Sequence, residues 1–269
     1  MYPERFSHLP EYAFPRLRAL LDGHNFVGPQ YNMTIGEPQH LYPLWIKDVL
    51  LDHLDGFNRY PANDGIEKLQ TSIVDWFYQR FGVTLSSDKN ILPVNGTREG
   101  LYNVSMALCP EELSDSQPFV LIPNPFYQVY MISALSVNSE PLFISTDAQS
   151  GHLPDYFGLK ADILNKTSAA YICSPSNPQG AVATVDYLTA LIELAEKYDF
   201  IIFADECYSE IYRYAPPPGL MQVSEKLGAD PNRVVTFHSL SKRSNLPGLR
   251  SGFACLLYTS DAADDSQCV

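Results

Sequence analysis

Apolar positions along this chain change their period as the sequence proceeds. From residue 91 onward, short runs that are apolar at nearly every position recur at 91–94, 119–122, 141–144, 169–173, 200–204 and 233–237. Runs of that length and continuity are the pattern of strands enclosed on both faces. Between most of them the spacing becomes helical, at about 97–108, 126–135, 155–165 and 184–198. Strands alternating with helices predict an α/β fold, a three-layer αβα arrangement around a mostly parallel central sheet.

Before residue 91 the pattern is looser. Residues 9–23 read as a short arm entering a helix, with Pro15 in the first turn, Leu17, Leu20 and Leu21 on one face, and Gly23 as the stop. Met33–Pro38 reads as a strand ending in a turn. Residues 60–66 form a Pro/Asn/Gly turn that opens a helix carrying Ile66, Leu69, Ile73, Trp76 and Phe77 at core spacing. The expected organisation is an arm and small-domain fragment over 1–40, a large domain over 41–254, and a tail over 255–269.

Composition narrows the field. A chain of 269 residues with 45% hydrophobic content can bury a sizeable core. The formal charge of -13 argues against nucleic acid or an anionic membrane surface as the main partner. There is no apolar run long enough to span a bilayer, and the N-terminus lacks the layout of a secretory signal, so a cytoplasmic location is expected. The five cysteines are scattered without a CxxC pair, and the histidines show no ligand spacing, so no metal is expected. GxGxxG and GxxxxGK[ST] are absent, which disfavours dinucleotide and P-loop enzymes.

The candidate chemistry sits just after the apolar runs, where parallel sheets bind ligands. After 91–94 comes Asn95-Gly96-Thr97-Arg98, whose free N–H groups at a helix start suit an anion such as a phosphate; an ordinary threonine cap would look the same. After 169–173 comes Ser174-Pro175-Ser176-Asn177-Pro178-Gln179-Gly180, a rigid turn presenting an amide at Asn177, or a turn chosen only for its shape. After 200–204 comes Asp205, a carboxylate at the mouth of an apolar strand, costly there unless it meets a cation. After 233–237 comes Ser239-Leu240-Ser241-Lys242, with Arg250 eight residues beyond the lysine. An amine beside hydroxyls and a guanidinium suits an aldehyde cofactor bearing a phosphate: Lys242 would form a Schiff base while Ser239, Ser241 and Arg250 hold the phosphate. A solvated basic loop is the alternative.

Taken together, "SLSKRSNLPGLRSGF", "Asn-Pro-x-Gly", "Tyr-Pro-x-x-x-Gly-Ile" and Asp205 with Tyr208 resemble the fold-type I, pyridoxal-phosphate-dependent aminotransferases of class I/II. Within that family the chain is similar to the N-succinyldiaminopimelate aminotransferase branch, over roughly residues 9 to 254. The resemblance implies that Lys242, Asp205 and Tyr208 are catalytic, with Asp205 facing the pyridine nitrogen. Asn177 and Tyr208 would bond the ring's phenolic oxygen, and Tyr127 would stack on the ring. Ile35, Gly36 and Asn177 would meet the substrate carboxylate, and Tyr60 would reach the cofactor phosphate of a neighbouring subunit in a homodimer. The implied reaction moves an amino group between an amino acid, with glutamate expected, and a 2-oxo acid in lysine biosynthesis. Rivals are an alanine, aspartate or acetylornithine-type aminotransferase, a C–S lyase of the same fold, and a non-catalytic effector-binding domain. Beyond Ala254 the tail departs from the family and matches no expected strand or helix. A truncated or misassembled gene is therefore expected, with an incomplete small domain and weakened or absent activity in the chain by itself.

Overall fold

In the computed structural model the described residues are 4–7, 9, 11–25, 27–29, 31, 33, 36 and 38–256. Contacts divide the chain into two units, Met1–Gln39 and His40–Val269. In the first, α1 (Ala13–Leu21) is the helix expected around Pro15. Of the strand expected at 33–38, Thr34, Ile35 and Glu37 lie outside the described residues, and Met33, Gly36 and Pro38 are not in a strand.

The second unit begins with α2 (Ile46–Asp52) and α3 (Glu67–Phe81) and then builds the sheet. The six apolar runs become β1 (Ile91–Val94), β2 (Phe119–Asn124), β3 (Glu140–Ser145), β4 (Thr167–Cys173), β5 (Ile201–Asp205) and β6 (Val234–Ser239). A seventh strand, β7 (Gly252–Leu256), completes the order β1-β7-β6-β5-β4-β2-β3. β7 runs antiparallel to both its neighbours, and the remaining pairs are parallel. This strand corrects the expectation for the tail. Cys255 pairs with Ile91 and Thr236, so the boundary drawn after Ala254 falls inside an internal strand; residues 257–269 lie outside the described residues.

Alternation along the strands divides the core into two layers. Val120, Ile122, Ala169, Tyr171, Phe203, Val235 and Phe237 face α4 (Thr97–Leu108) and α5 (Gln128–Ser136). Leu121, Ala170, Ile172, Ile202, Ala204 and Val234 face the other way, towards α3, α7 (Val185–Tyr198) and α8 (Leu220–Leu227). The first layer is not wholly apolar. Tyr171 is fully enclosed, and its hydroxyl bonds the Leu101 carbonyl at 2.8 Å and lies 3.1 Å from Ser105 Oγ. Left unpaired, that hydroxyl would cost about 1–3 kcal/mol, so its partners are a condition of its burial.

The helix expected over 155–165 shrinks to α6 (Ala161–Leu164). Asp155 Oδ1 accepts from the Gly158 N–H at 3.1 Å in a local turn, and Tyr156 is buried with its hydroxyl on the Tyr171 carbonyl, so the segment is tied to the core before α6 opens. α2 and α8 were not expected. An apolar recess of about 640 Å3 lies between α2 and the 245–249 turn, with Leu50, Leu51, Leu54, Leu246 and Leu249 on its walls. Among the described residues no helix is long and apolar enough to cross a membrane.

Candidate active site

Asp205 ends β5 on the same face as Phe203, because side chains two apart share a face. It is 6% exposed. Its Oδ2 accepts from the Tyr130 hydroxyl at 2.6 Å, and its Oδ1 accepts from the Cys207 backbone N–H at 3.3 Å. None of the ion pairs among the described residues involves Asp205. A buried carboxylate held by neutral donors alone still lacks a counter-charge, and a protonated ring nitrogen would supply one.

Three residues beyond Asp205, Tyr208 accepts from Asn177 Nδ2 at 3.2 Å. This contact ties the turn after β4 to the turn after β5. Burial pushes the Tyr208 phenol up, and the Asp205 charge adds to it, so Tyr208 keeps its proton as a donor at neutral pH.

On the other side of Asp205, Tyr127 enters α5 with its ring edge against Tyr130, centroids 5.8 Å apart. Its hydroxyl accepts from Arg98 Nε at 2.5 Å. Gly96 precedes α4 with φ of 88°, and a Cβ there would stand 2.3 Å from Arg250 Nη2. The guanidinium therefore lies against the helix start. No side chain caps this end of α4, so its first N–H groups and Arg250 form one positive mouth. Thr97 is buried beneath it, with Oγ1 3.0 Å from Cys207 Sγ.

The pairing Val94 to Gly252 and Gly252 to Ser239 sets this mouth beside the end of β6. There Ser239 Oγ accepts from the Ser241 N–H at 3.0 Å and starts α9 (Leu240–Arg243), which carries Lys242. Asp205 and Lys242 thus come from the ends of adjacent parallel strands, with Asp205 in register with Phe237.

The structure gathers Gly96, Thr97, Arg98, Tyr127, Asn177, Asp205, Tyr208 and Arg250 through these contacts, with Ser239, Ser241 and Lys242 on the neighbouring turn. Tyr60 stands apart, fully exposed. Gly36 belongs to the first unit, and Ile35 lies outside the described residues. Sequence reasoning missed Tyr130 and Cys207. Tyr130 lies within an apolar helix, where it reads as core; its position three residues after Tyr127, on the same helical face, was the available signal.

The family model for aminotransferase class I and II matches residues 29–263. LL-diaminopimelate aminotransferase from Moorella thermoacetica is 30% identical over 257 residues, covering 93% of this chain and 63% of that protein. The chain therefore spans less than two thirds of the length of such relatives. Among solved structures, an aminotransferase from Neisseria meningitidis superposes with a TM-score of 0.87 at 35% identity, over 94% of this chain and 65% of that one. The aminotransferase AspB from Helicobacter pylori gives 0.85, also at 35% identity, over 93% and 65%. Six parallel strands and one antiparallel strand, with the candidate residues beyond the strand ends, are thus matched by fold and by sequence together: this chain belongs to the class I and II aminotransferases, a family that depends on pyridoxal phosphate.

Proposed function

We propose that the protein of which this chain forms part catalyses pyridoxal-phosphate-dependent transamination between an amino acid and a 2-oxo acid, with Lys242 as the cofactor-bearing amine. The observation that carries this reading is Asp205, buried and without a cation among the described ion pairs, one strand away from Lys242. When bound, the cofactor supplies an aldehyde carbon and an electron-accepting ring. Asp205 keeps the ring nitrogen protonated, and Tyr130 and the Cys207 N–H keep Asp205 in place. Asn177 and Tyr208 would hold the phenolic oxygen, and Tyr127 would pack against the ring. Gly96, Thr97 and Arg98 at the start of α4, together with Ser239, Ser241 and Arg250, hold the phosphate. Lys242 would hold the cofactor's aldehyde, and its Nζ would serve as the base that moves the proton at the substrate Cα.

For the acceptor we propose a 2-oxo acid of the diaminopimelate series, with glutamate as amino donor. The relatives named LL-diaminopimelate aminotransferase support the unblocked compound. The resemblance over 239–253 supports the N-succinyl form. A homodimer fits the exposed Tyr60 and the apolar recess beside α2.

The deciding experiment is a visible spectrum of the purified full-length protein with pyridoxal phosphate, followed by transamination assays with both acceptors. Wild type should show the absorption band of a lysine-linked cofactor and Lys242→Ala should not. A protein that binds no pyridoxal phosphate ends this reading. Pyruvate and ammonia formed without an oxo acid would favour the C–S lyase instead.

A further inference from the structure

The sheet face opposite Asp205 and Tyr130 buries a second pair of ionisable groups that the transamination reading does not use. Glu206 is 4% exposed and His238 is 1% exposed. His238 Nε2 lies 3.4 Å from Glu206 Oε2. The other carboxyl oxygen, Glu206 Oε1, accepts from the Leu220 N–H at 2.7 Å and so closes the start of α8. The Glu206 backbone N–H donates to the Phe237 carbonyl at 3.0 Å, which sets this residue directly beside His238.

The surroundings decide how many protons the pair holds. Trp76, Phe77, Phe81 and Phe253 surround the imidazole with ring centroids between 5.2 and 5.7 Å away, leaving little room to hydrate a charge. Arg80 on α3 and Arg243 on α9 face the imidazole and oppose its protonation. Arg80 is itself paired with Glu210 at 2.8 Å, and Arg243 lies over the Trp76 ring. Arg80 also opposes protonation of Glu206, while Asp205 across the sheet favours it; the Cys255 thiol on β7, pushed up by burial, stays neutral. Burial wins in both cases, lifting the Glu206 carboxyl to about 7 and lowering the His238 imidazole to about 3.

We propose that Glu206 and His238 form a one-proton strut, a neutral carboxyl donating to a neutral imidazole, which positions the two strand ends that carry Asp205 and Lys242. Glu206 directly follows Asp205, and His238 directly precedes Ser239, whose hydroxyl starts the α9 turn that carries Lys242. The pairing rests on the 3.4 Å approach of two buried atoms, Glu206 Oε2 and His238 Nε2, neither of which has another hydrogen-bond partner among the described residues, so a single proton between them would satisfy both; burial sets that count of one, and the positioning role rests on the assignment of Lys242 and Asp205 above.

One shared proton has a consequence for stability. The raised carboxyl stabilises the fold fully below its unfolded value of 4.5, and that contribution is lost as the pH climbs through about 7. The depressed imidazole stabilises it above its unfolded value of 6.5, and that contribution is lost as the pH falls through about 3. Between 4.5 and 6.5 the unfolded pair also holds one proton, as carboxylate and imidazolium, so the two contributions cancel and the pair leaves stability flat.

The test uses cofactor-free full-length protein first. Nitrogen-15 NMR should find the His238 ring neutral at pH about 6, where a free imidazole is largely protonated. Glu206→Gln keeps an acceptor for Leu220 and a donor for His238 but cannot ionise. Its unfolding midpoint should rise relative to wild type across pH 4.5 to 7, by roughly 5 °C or more at the upper end. Glu206→Ala, which lacks both contacts, should melt lower than wild type at pH about 5. A doubly protonated His238 at pH about 6, or a wild-type-to-Gln difference that does not change with pH, overturns the strut. With pyridoxal phosphate bound, the pH titration of the visible band should shift in Glu206→Ala and His238→Leu and stay in place in Glu206→Gln. Three unchanged titrations overturn the positioning role. A strut that passes the first arm in a protein with no visible band overturns the Lys242 assignment, and the positioning role with it, and leaves the strut standing.

Discussion

The Tyr130 hydroxyl donates to Asp205 Oδ2 at 2.6 Å from a ring that stacks on Tyr171, with centroids 4.4 Å apart. The helix α5 thus fixes the angle of a carboxylate carried by a strand. Tyr130→Phe keeps the stack and removes the donor. It should cost about 1.5–3 kcal/mol, because a hydrogen bond to a buried charge is lost without a replacement. Thermal unfolding of wild type and variant, with and without pyridoxal phosphate, measures this; an unchanged midpoint in both conditions contradicts it.

Gly96→Ala strikes the positive mouth at the start of α4. The backbone there has φ of 88°, and the new Cβ would stand 2.3 Å from Arg250 Nη2. The guanidinium can swing aside, but the backbone strain remains, at about 1–3 kcal/mol. Affinity for pyridoxal phosphate should fall at least tenfold, read by titration of its absorbance, while secondary structure by circular dichroism is retained.

Arg80 bridges α3 to the segment after β5. It pairs with Glu210 at 2.8 Å and donates to the Ser209 and Pro217 carbonyls at 3.3 and 3.0 Å. Arg80→Met keeps much of the stem and leaves those acceptors and a half-buried carboxylate without a partner. A loss of about 2–4 kcal/mol in denaturant unfolding is expected, with a smaller loss for Arg80→Met combined with Glu210→Met.

The Tyr208 phenol is raised by burial and by the Asp205 charge, so its contribution to stability is present below the ordinary tyrosine value of 10.0 and is lost only as the pH rises through the higher folded value. The Asn177–Tyr208 contact should therefore persist unchanged through ordinary assay pH. Ultraviolet titration of wild type against Tyr208→Phe should find one phenol fewer ionising late; a difference that appears at or below pH 10 contradicts this.

Much of this arrangement is legible in the order of the amino acids. The central strands β2, β4, β5 and β6 declare themselves because enclosure on both faces demands apolar residues at nearly every position, and the edge strands β1 and β3 follow the same pattern while staying partly exposed. Asp205 and Lys242 are visible for the same reason, as charged groups standing directly after such runs. β7 is not: Gly252–Leu256 follows the 245–249 turn with no break of its own, and it is antiparallel in a sheet read as parallel. The 155–165 pattern misleads because Tyr156 is anchored singly into the core, with its hydroxyl on the Tyr171 carbonyl, and the chain turns at Asp155–Gly158 before the short α6 opens. Tyr130 is hidden because its partner lies 75 residues away, and no local period records that distance.

The place of β7 between β1 and β6 reaches beyond the site. Residues 91–94 meet the rest of the sheet only through residues 252–256. On the ribosome, the earliest strand must therefore wait through about 160 further residues before its neighbour emerges. The edge of β6, by contrast, is left open only for the short stretch between Ser239 and Gly252, so β1 is the strand most open to mispairing between nascent chains.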